Sequence, residues 1–145
     1  MTRFAIGFRT TGVGSGSPTL EFYTGAADYR FRLVELGIGI TTQTLTPVGL
    51  GVPAVAGITP TTPVTLLSET AADGETGTLK LALAWATPPT SPTYWYRRAT
   101  LGLVSDELVW RWPSGQGLLM APSSSLVLWL FAASAALDGW AVFER

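Results

Sequence analysis

Short runs of alternating apolar and polar residues recur along the chain. In RFAIGFR, the apolar residues Phe4, Ile6 and Phe8 alternate with small or charged ones, which is the two-residue period of a half-buried strand. In ELVWRW, the leucine and both tryptophans fall on one face in the same way. LKLALAWA and YWYRRATLGL are further strand candidates, each bounded by Pro, Ser, Asp or Gly. No segment shows a sustained helical period, so the pattern predicts an all-β protein.

The run YRFRLVELGIGI adds a longer strand. Tyr29, Phe31 and Leu33 share one of its faces, and Gly37 and Gly39 predict a bend or bulge near its end. Seven or eight short strands with turn residues between them predict an antiparallel jelly-roll-like sandwich or barrel. The length of 145 residues fits one domain, residues 1–145.

The most apolar stretch is LLMAPSSSLVLWLF, residues 118–131. Its apolar run from Leu126 to Leu137 is shorter than the roughly 20 residues of a membrane span. SLVLWLF is rich in β-formers, so we predict a strand there, with a helix over 126–137 as the alternative. Both faces of that strand lack charge, and both should be buried. The dipeptide Asp138-Gly139 predicts a hairpin turn before a final strand, WAVFER.

Residues 41–63 differ from the rest. This uncharged segment carries Pro47, Pro53, Pro60 and Pro63 among threonines, glycines and small apolar residues. Proline cannot donate to a strand ladder, so we predict no continuous central strand here. The segment is then either a long Pro/Thr-rich surface loop or an extended arm that lies on a neighbouring subunit.

Composition narrows the functional classes. Charged residues make up 13% of the chain, against about 25% in ordinary soluble domains, so partner subunits are expected to cover part of its apolar surface. Nine Lys and Arg balance ten Asp and Glu. A field that attracts nucleic acid or anionic membranes is therefore not expected. With no Cys and no His, the chain has no disulfide, thiolate nucleophile, imidazole base or Cys/His metal site.

Catalytic patterns are weak. The closest carboxylates, Asp73 with Glu75 and Asp106 with Glu107, lie in polar turns and are interpreted as solvated charges. GVGSGS matches neither a nucleophile elbow nor a phosphate loop. A serine nucleophile would need a lysine base, and the single lysine, Lys80, lies in a strand pattern. We therefore expect no enzyme activity, no cofactor and no metal.

The cluster SPTYWYRR, around Trp95, allows several interpretations. It fits a strand with alternating core aromatics, a protein interface rich in Tyr, Trp and Arg, or an aromatic platform that stacks on sugars. Exposure of the Trp95 face in an isolated subunit, and its burial in an oligomer, would distinguish these.

The carboxyl half resembles small proteins from the structural gene blocks of tailed bacteriophages and prophages. The resemblance rests on Tyr96-Arg97-Arg98, Trp110–Pro113, Gly117–Trp129 and the terminal strand Trp140–Glu144. RFAIGFRTTG and LEFYTGAADYRFRLVELGI are similar to the opening strands of that family.

The resemblance implies a capsid decoration, or cement, protein on the virion exterior. Such a protein would bind the major capsid protein. The low charge content separately leads us to expect self-association, as a homotrimer or a similar closed ring, and the near-zero net charge and short apolar runs lead us to expect no nucleic-acid or membrane partner. A phage tail, baseplate or host-glycan-binding β-module is the alternative. The candidate interface residues are Pro47, Val48, Leu50, Val52, Pro53, Val55, Ile58, Pro60, Tyr94, Trp95, Tyr96 and Arg97.

Overall fold

The computed structural model describes residues 1–41, 45–69, 76–102, 106–132 and 136–145. These residues form thirteen strands and confirm the all-β prediction, although three of the strands are only three residues long. The strands are β1 (Arg3–Arg9), β2 (Ser17–Tyr23), β3 (Phe31–Ile40), β4 (Thr46–Pro53), β5 (Ile58–Pro60), β6 (Val64–Ser68), β7 (Thr76–Ala82), β8 (Trp85–Thr87), β9 (Pro92–Leu101), β10 (Glu107–Arg111), β11 (Leu118–Met120), β12 (Ser125–Leu130) and β13 (Leu137–Glu144).

Eleven of these strands form one antiparallel sheet. Its order is β10-β3-β13-β1-β6-β7-β2-β12-β4-β9, and β11 also pairs with β3. The sheet curls into a nearly closed barrel whose unpaired edges are β9 and β10. The two remaining strands, β5 and β8, form a separate ribbon. Within the described residues no helix is long and apolar enough to cross a membrane.

Aromatic rings fill the barrel interior. The Phe22 ring from β2 contacts Phe143 of β13 at 5.0 Å and Phe8 of β1 at 6.5 Å between centroids. Since β6 and β7 lie between β1 and β2 in the sheet, these contacts cross the interior rather than follow neighbouring strands. Phe4 and Phe31 form a second edge-to-face pair at 5.6 Å. The interior face of the curled sheet is therefore the hydrophobic core.

The apolar stretch is a strand over residues 126–130, as predicted. Leu126, Leu128 and Leu130 of β12 belong to the core, whereas Val127 and Trp129 lie on the opposite face and are also buried. Phe131 follows the strand and is half-buried. The pattern was informative because β12 pairs on both sides, with β2 and β4, and has no solvent-facing row.

The prediction of a loop or arm over residues 41–63 is wrong for β4. This strand lies inside the sheet, between β12 and β9. It tolerates its prolines because only residues 48–51 pair with β12, and Pro47 and Pro53 lie outside that stretch. On the β9 side the register shifts at two places, one of them next to Pro53. A proline at the end of a strand does not remove the backbone hydrogen bonds that pair the central residues of that strand.

The predicted hairpin turn at Asp138-Gly139 is also wrong. Both residues lie within β13, opposite Arg9 and Phe8 of β1. A side chain on Gly139 would come within 2.6 Å of the Phe8 ring and 2.3 Å of the Gly37 carbonyl oxygen. The glycine is thus required by close packing between strands and not by a turn.

The bulge in β3 lies earlier than predicted. The register against β13 shifts where Leu33 pairs with Phe143 and Glu35 with Val142, so Val34 is the extra residue. Gly37 continues the regular ladder after the bulge. The shift changes which residues of β3 face the core, since Phe31 and Leu33 alternate before it and Leu36 and Ile38 after it.

Candidate functional site

The predicted interface residues do not form a single surface. Val48 and Leu50 are fully buried in the barrel core, so their place in the predicted interface is wrong. They point inward because β4 is an internal strand and its alternate residues complete the core. Pro53 is buried as well, while Pro47 and Pro60 are half-buried.

Five residues of the predicted set are exposed. Arg97 and Tyr94 lie on β9, Val52 lies at one end of β4, Val55 lies in the connection after it and Ile58 begins β5. Val52 and Tyr94 are direct cross-strand partners on β4 and β9, and the Tyr94 ring meets Tyr96 edge to face at 5.2 Å. The exposed fractions are 40% for Val52, 55% for Val55, 54% for Ile58 and 64% for Tyr94. We call these four residues the β4-end patch.

Trp95 is packed and not a free platform. Its ring lies over Gly49, where an added Cβ would come within 2.6 Å of the ring. The Phe131 ring lies 4.9 Å from that of Trp95, and the Arg98 guanidinium lies 4.2 Å from the Phe131 centroid. Among the interpretations of SPTYWYRR, this arrangement favours a strand with packed aromatics.

A site that the sequence did not reveal lies on the outer face of β1, β13, β3 and β10. Two ion pairs join direct cross-strand partners of β1 and β13: Arg3 with Glu144 at 3.1 Å, and Arg9 with Asp138 at 2.6 Å. A third joins Arg111 of β10 to Glu35 of β3 at 2.7 Å. Each of these three ion pairs joins neighbouring strands of this face.

Trp140 is the central side chain of this face. Ala141 and Phe143, alternate residues of the same strand, belong to the core. Strand alternation therefore turns Trp140 outward. The indole Nε1 donates to Oε1 of Glu35 at 2.6 Å, and Arg111 donates to the other carboxylate oxygen at 2.7 Å. The hydrogen bonds from Arg111 and then Trp140 lower the pKa of Glu35. Glu35 therefore stays ionised and holds the indole in place.

The carboxylates of the other two ion pairs are also held ionised. The hydrogen bond from Arg9 lowers the pKa of Asp138. Burial alone would raise the pKa of Glu144, but donors from the Gly115 backbone, Ser114 and Arg3 outweigh it and lower the pKa. The sequence carried no signal for these pairings, since Trp140 and Glu35 are 105 residues apart.

Of the two carboxylate pairs considered for catalysis, the structure describes Asp106 with Glu107. Asp106 accepts hydrogen bonds from the backbone N–H groups of Gly102 and Glu107, which is a structural role beside β10. Asp73 and Glu75 lie outside the described residues. Lys80 lies in β7, opposite Tyr23 of β2. In the part of the chain that the structure describes, no group of three acidic side chains could hold a metal.

Buried Glu21 provides a further polar contact. It lies on β2, and its two carboxylate oxygens accept from the Gly57 backbone N–H at 3.1 Å and from Trp85 Nε1 at 2.8 Å. These bonds attach the β5–β8 ribbon and the preceding connection to the main sheet.

No protein-family model, curated protein or solved structure matches the chain.

Proposed function

We propose that this chain is a structural virion protein of a tailed bacteriophage. In this proposal it decorates the outside of the capsid, binds the major capsid protein and stabilises the shell. The resemblance of the segments around Arg97, Trp110 and Trp140 to phage structural proteins supplies the biological context.

The observation that supports a protein-binding role is the β4-end patch. It comprises four apolar or aromatic side chains, each at least 40% exposed. Val52 at the end of β4 pairs with Tyr94 of β9, Val55 lies in the connection after β4 and Ile58 begins β5. Tyrosine beside aliphatic residues is typical of the buried centre of protein interfaces. Contact with a partner would remove this surface from water, which is a favourable term of about 25 cal/mol per Å² of apolar area. We place the capsid contact there.

The test compares particles that carry the protein with particles that lack it. A protein that binds only the intact shell stabilises that shell by mass action, so its removal should lower the temperature at which particles rupture. Added wild-type protein should restore the rupture temperature. Electron microscopy of the same particles would show density on the capsid. Density confined to the tail, or unchanged rupture, would contradict the proposal.

Point variants then test the patch itself. Deleting residues 47–60 would not test the patch, because the deletion would remove most of β4, an internal strand of the sheet. In Val52→Asp/Tyr94→Asp, two charges enter the proposed contact and should abolish rescue. Leu119→Asp is the control, because Leu119 is 47% exposed but lies on β11, a strand paired with β3. If Leu119→Asp restores the rupture temperature and the double variant does not, the result supports a capsid contact at the β4-end patch. If both variants restore it equally, the patch is excluded as the contact.

A further inference from the structure

A surface groove of about 590 Å³ lies beside Trp140 on the outer face of β1, β13 and β3. Gly7 and Gly39 line it on either side of β13. Asp106, Glu107 and Asp138 also line it. It is separate from the β4-end patch, which lies on β4, β9, the connection after β4 and the start of β5.

The Trp140 ring lies flat on the sheet. An ideal Cβ on Gly37 would be 2.3, 2.4 and 2.5 Å from the consecutive ring atoms Cζ2, Cη2 and Cε2. Distances this similar require that the ring presents its face to Gly37, because an edge-on ring would bring one atom much nearer than its neighbours. The opposite face of the indole therefore points away from the sheet, and the residue is only half-buried. The hydrogen bond to Glu35 fixes this orientation.

Two glycines of the groove are not explained by the fold. A Cβ on Gly7 would meet only the Gly139 carbonyl oxygen, at 3.8 Å, and a Cβ on Gly39 would meet backbone oxygens at 3.6 and 3.9 Å. Neither is among the glycines with positive φ. Glycine weakens a strand, and where packing does not require it, it often marks the close approach of a ligand. By contrast, Gly37 and Gly139 leave no room for a side chain.

The charges around the groove select the kind of ligand. Three acidic residues line it, Asp106, Glu107 and Asp138. Arg9 is bound to Asp138 through both of its oxygens, and Arg111 is bound to Glu35 beneath the indole. An anionic ligand would be repelled by the three acidic residues. A neutral ligand with several hydroxyl donors would be matched by them, because carboxylates are strong acceptors.

We propose that this groove binds a neutral saccharide, with one sugar ring stacked on the exposed face of Trp140 and its hydroxyls donating to the carboxylates of the three acidic residues. A sugar ring has an apolar C–H face and a polar rim, which fits an aromatic platform beside acceptors. Because Gly7 and Gly39 carry no side chains, the sugar ring can approach the indole closely. This binding is additional to the proposed contact with the capsid.

The test is a nuclear magnetic resonance titration of the full ¹⁵N-labelled chain. The probes are neutral trisaccharides of glucose, galactose, mannose and N-acetylglucosamine, with a sialylated trisaccharide as the acidic comparison. We expect at least one neutral probe to shift the Trp140 indole N–H signal and the Gly7 and Gly39 amides. No shift with any neutral probe at millimolar concentration, or shifts caused by the acidic probe alone, would overturn the proposal.

Gly7→Val then blocks the groove without disturbing the core, since the position has room for a side chain. We expect this variant to weaken binding by about tenfold or more because the new side chain covers the floor. Ala5→Val is the matched control, since Ala5 lies on the same strand and face but outside the groove. Gly39→Val repeats the block from β3 if Gly7→Val fails to fold. Binding that survives both blocking variants would place the saccharide elsewhere.

Discussion

The Arg97 guanidinium lies 5.1 Å from the centre of the Trp112 ring, and the two residues belong to opposite edges of the sheet. Arg97 is on the edge strand β9, and Trp112 directly follows the edge strand β10. This cation–π contact bridges a seam where the barrel lacks a strand ladder. Arg97 also donates to the Tyr96 carbonyl at 2.9 Å. Side chains thus replace backbone pairing at the seam.

Removal of this contact should increase local opening at the seam, while the global free energy of unfolding should fall only slightly. We expect Arg97→Ala to reduce the free energy of unfolding by about 0.5–1 kcal/mol, the usual size of an exposed cation–π contact. Amide hydrogen exchange in β9 and β10 should accelerate. Arg98→Ala is the control, because Arg98 lies over Phe131 and not over Trp112. Equal exchange in β10 for the two variants would contradict the seam contact.

Glu21 should be required for attachment of the β5–β8 ribbon. In Glu21→Ala the donors of Gly57 and Trp85 lose their acceptor, which should cost about 1–3 kcal/mol of unfolding free energy. Glu21→Gln keeps one acceptor oxygen and should cost less. Urea unfolding gives the stability, and Trp85 fluorescence reports whether the ribbon leaves the sheet. Wild-type stability in Glu21→Ala would show that the contact is dispensable.

The ion pairs of the outer face should make the protein sensitive to acid. Glu35, Asp138 and Glu144 all have lowered pKa values in the folded chain. Between the unfolded pKa values, near about 4, and the folded ones, the unfolded chain binds more protons. The stabilisation is therefore complete above the unfolded values and is lost as pH falls through the folded values.

The measurement for acid sensitivity is the free energy of unfolding as a function of pH, from neutral to strongly acidic. The wild type should lose stability steeply in the acidic range. Glu35→Gln should start less stable at neutral pH and lose less on acidification, because one of the titrating groups is gone. Parallel curves for the two proteins would mean that Glu35 does not contribute.

The glycines of β3 should respond differently to the same substitution. Gly37→Ala places a methyl group against the Trp140 ring and should cost about 1–3 kcal/mol through overpacking. Gly39→Ala meets only ordinary contacts and should be neutral or stabilising by up to about 1 kcal/mol. Urea denaturation of the two variants tests this directly. Similar stabilities would show that the ring moves aside without cost.

Several local features could be predicted from the chain alone. The alternation of Phe4, Ile6 and Phe8 identified β1 and its inward face, and the charge-free run from Leu126 to Leu130 identified a strand buried on both sides. Both predictions depend on burial, and the tendency of a side chain to be buried follows from the polarity of that residue itself. The same reasoning placed Trp110 and Trp112 on the core side of β10 and its continuation.

Tertiary structure decided which strands are neighbours. Pro47 lies in an internal strand because the residues that pair with β12 begin after it, and Asp138-Gly139 lies in a strand because β1 and β3 flank it. The outer-face site depends on the register that sets Trp140 opposite Gly37, between segments about a hundred residues apart in sequence. Local periodicity specifies which face of a strand is buried, but the pairing of distant strands depends on how all the side chains fill one barrel.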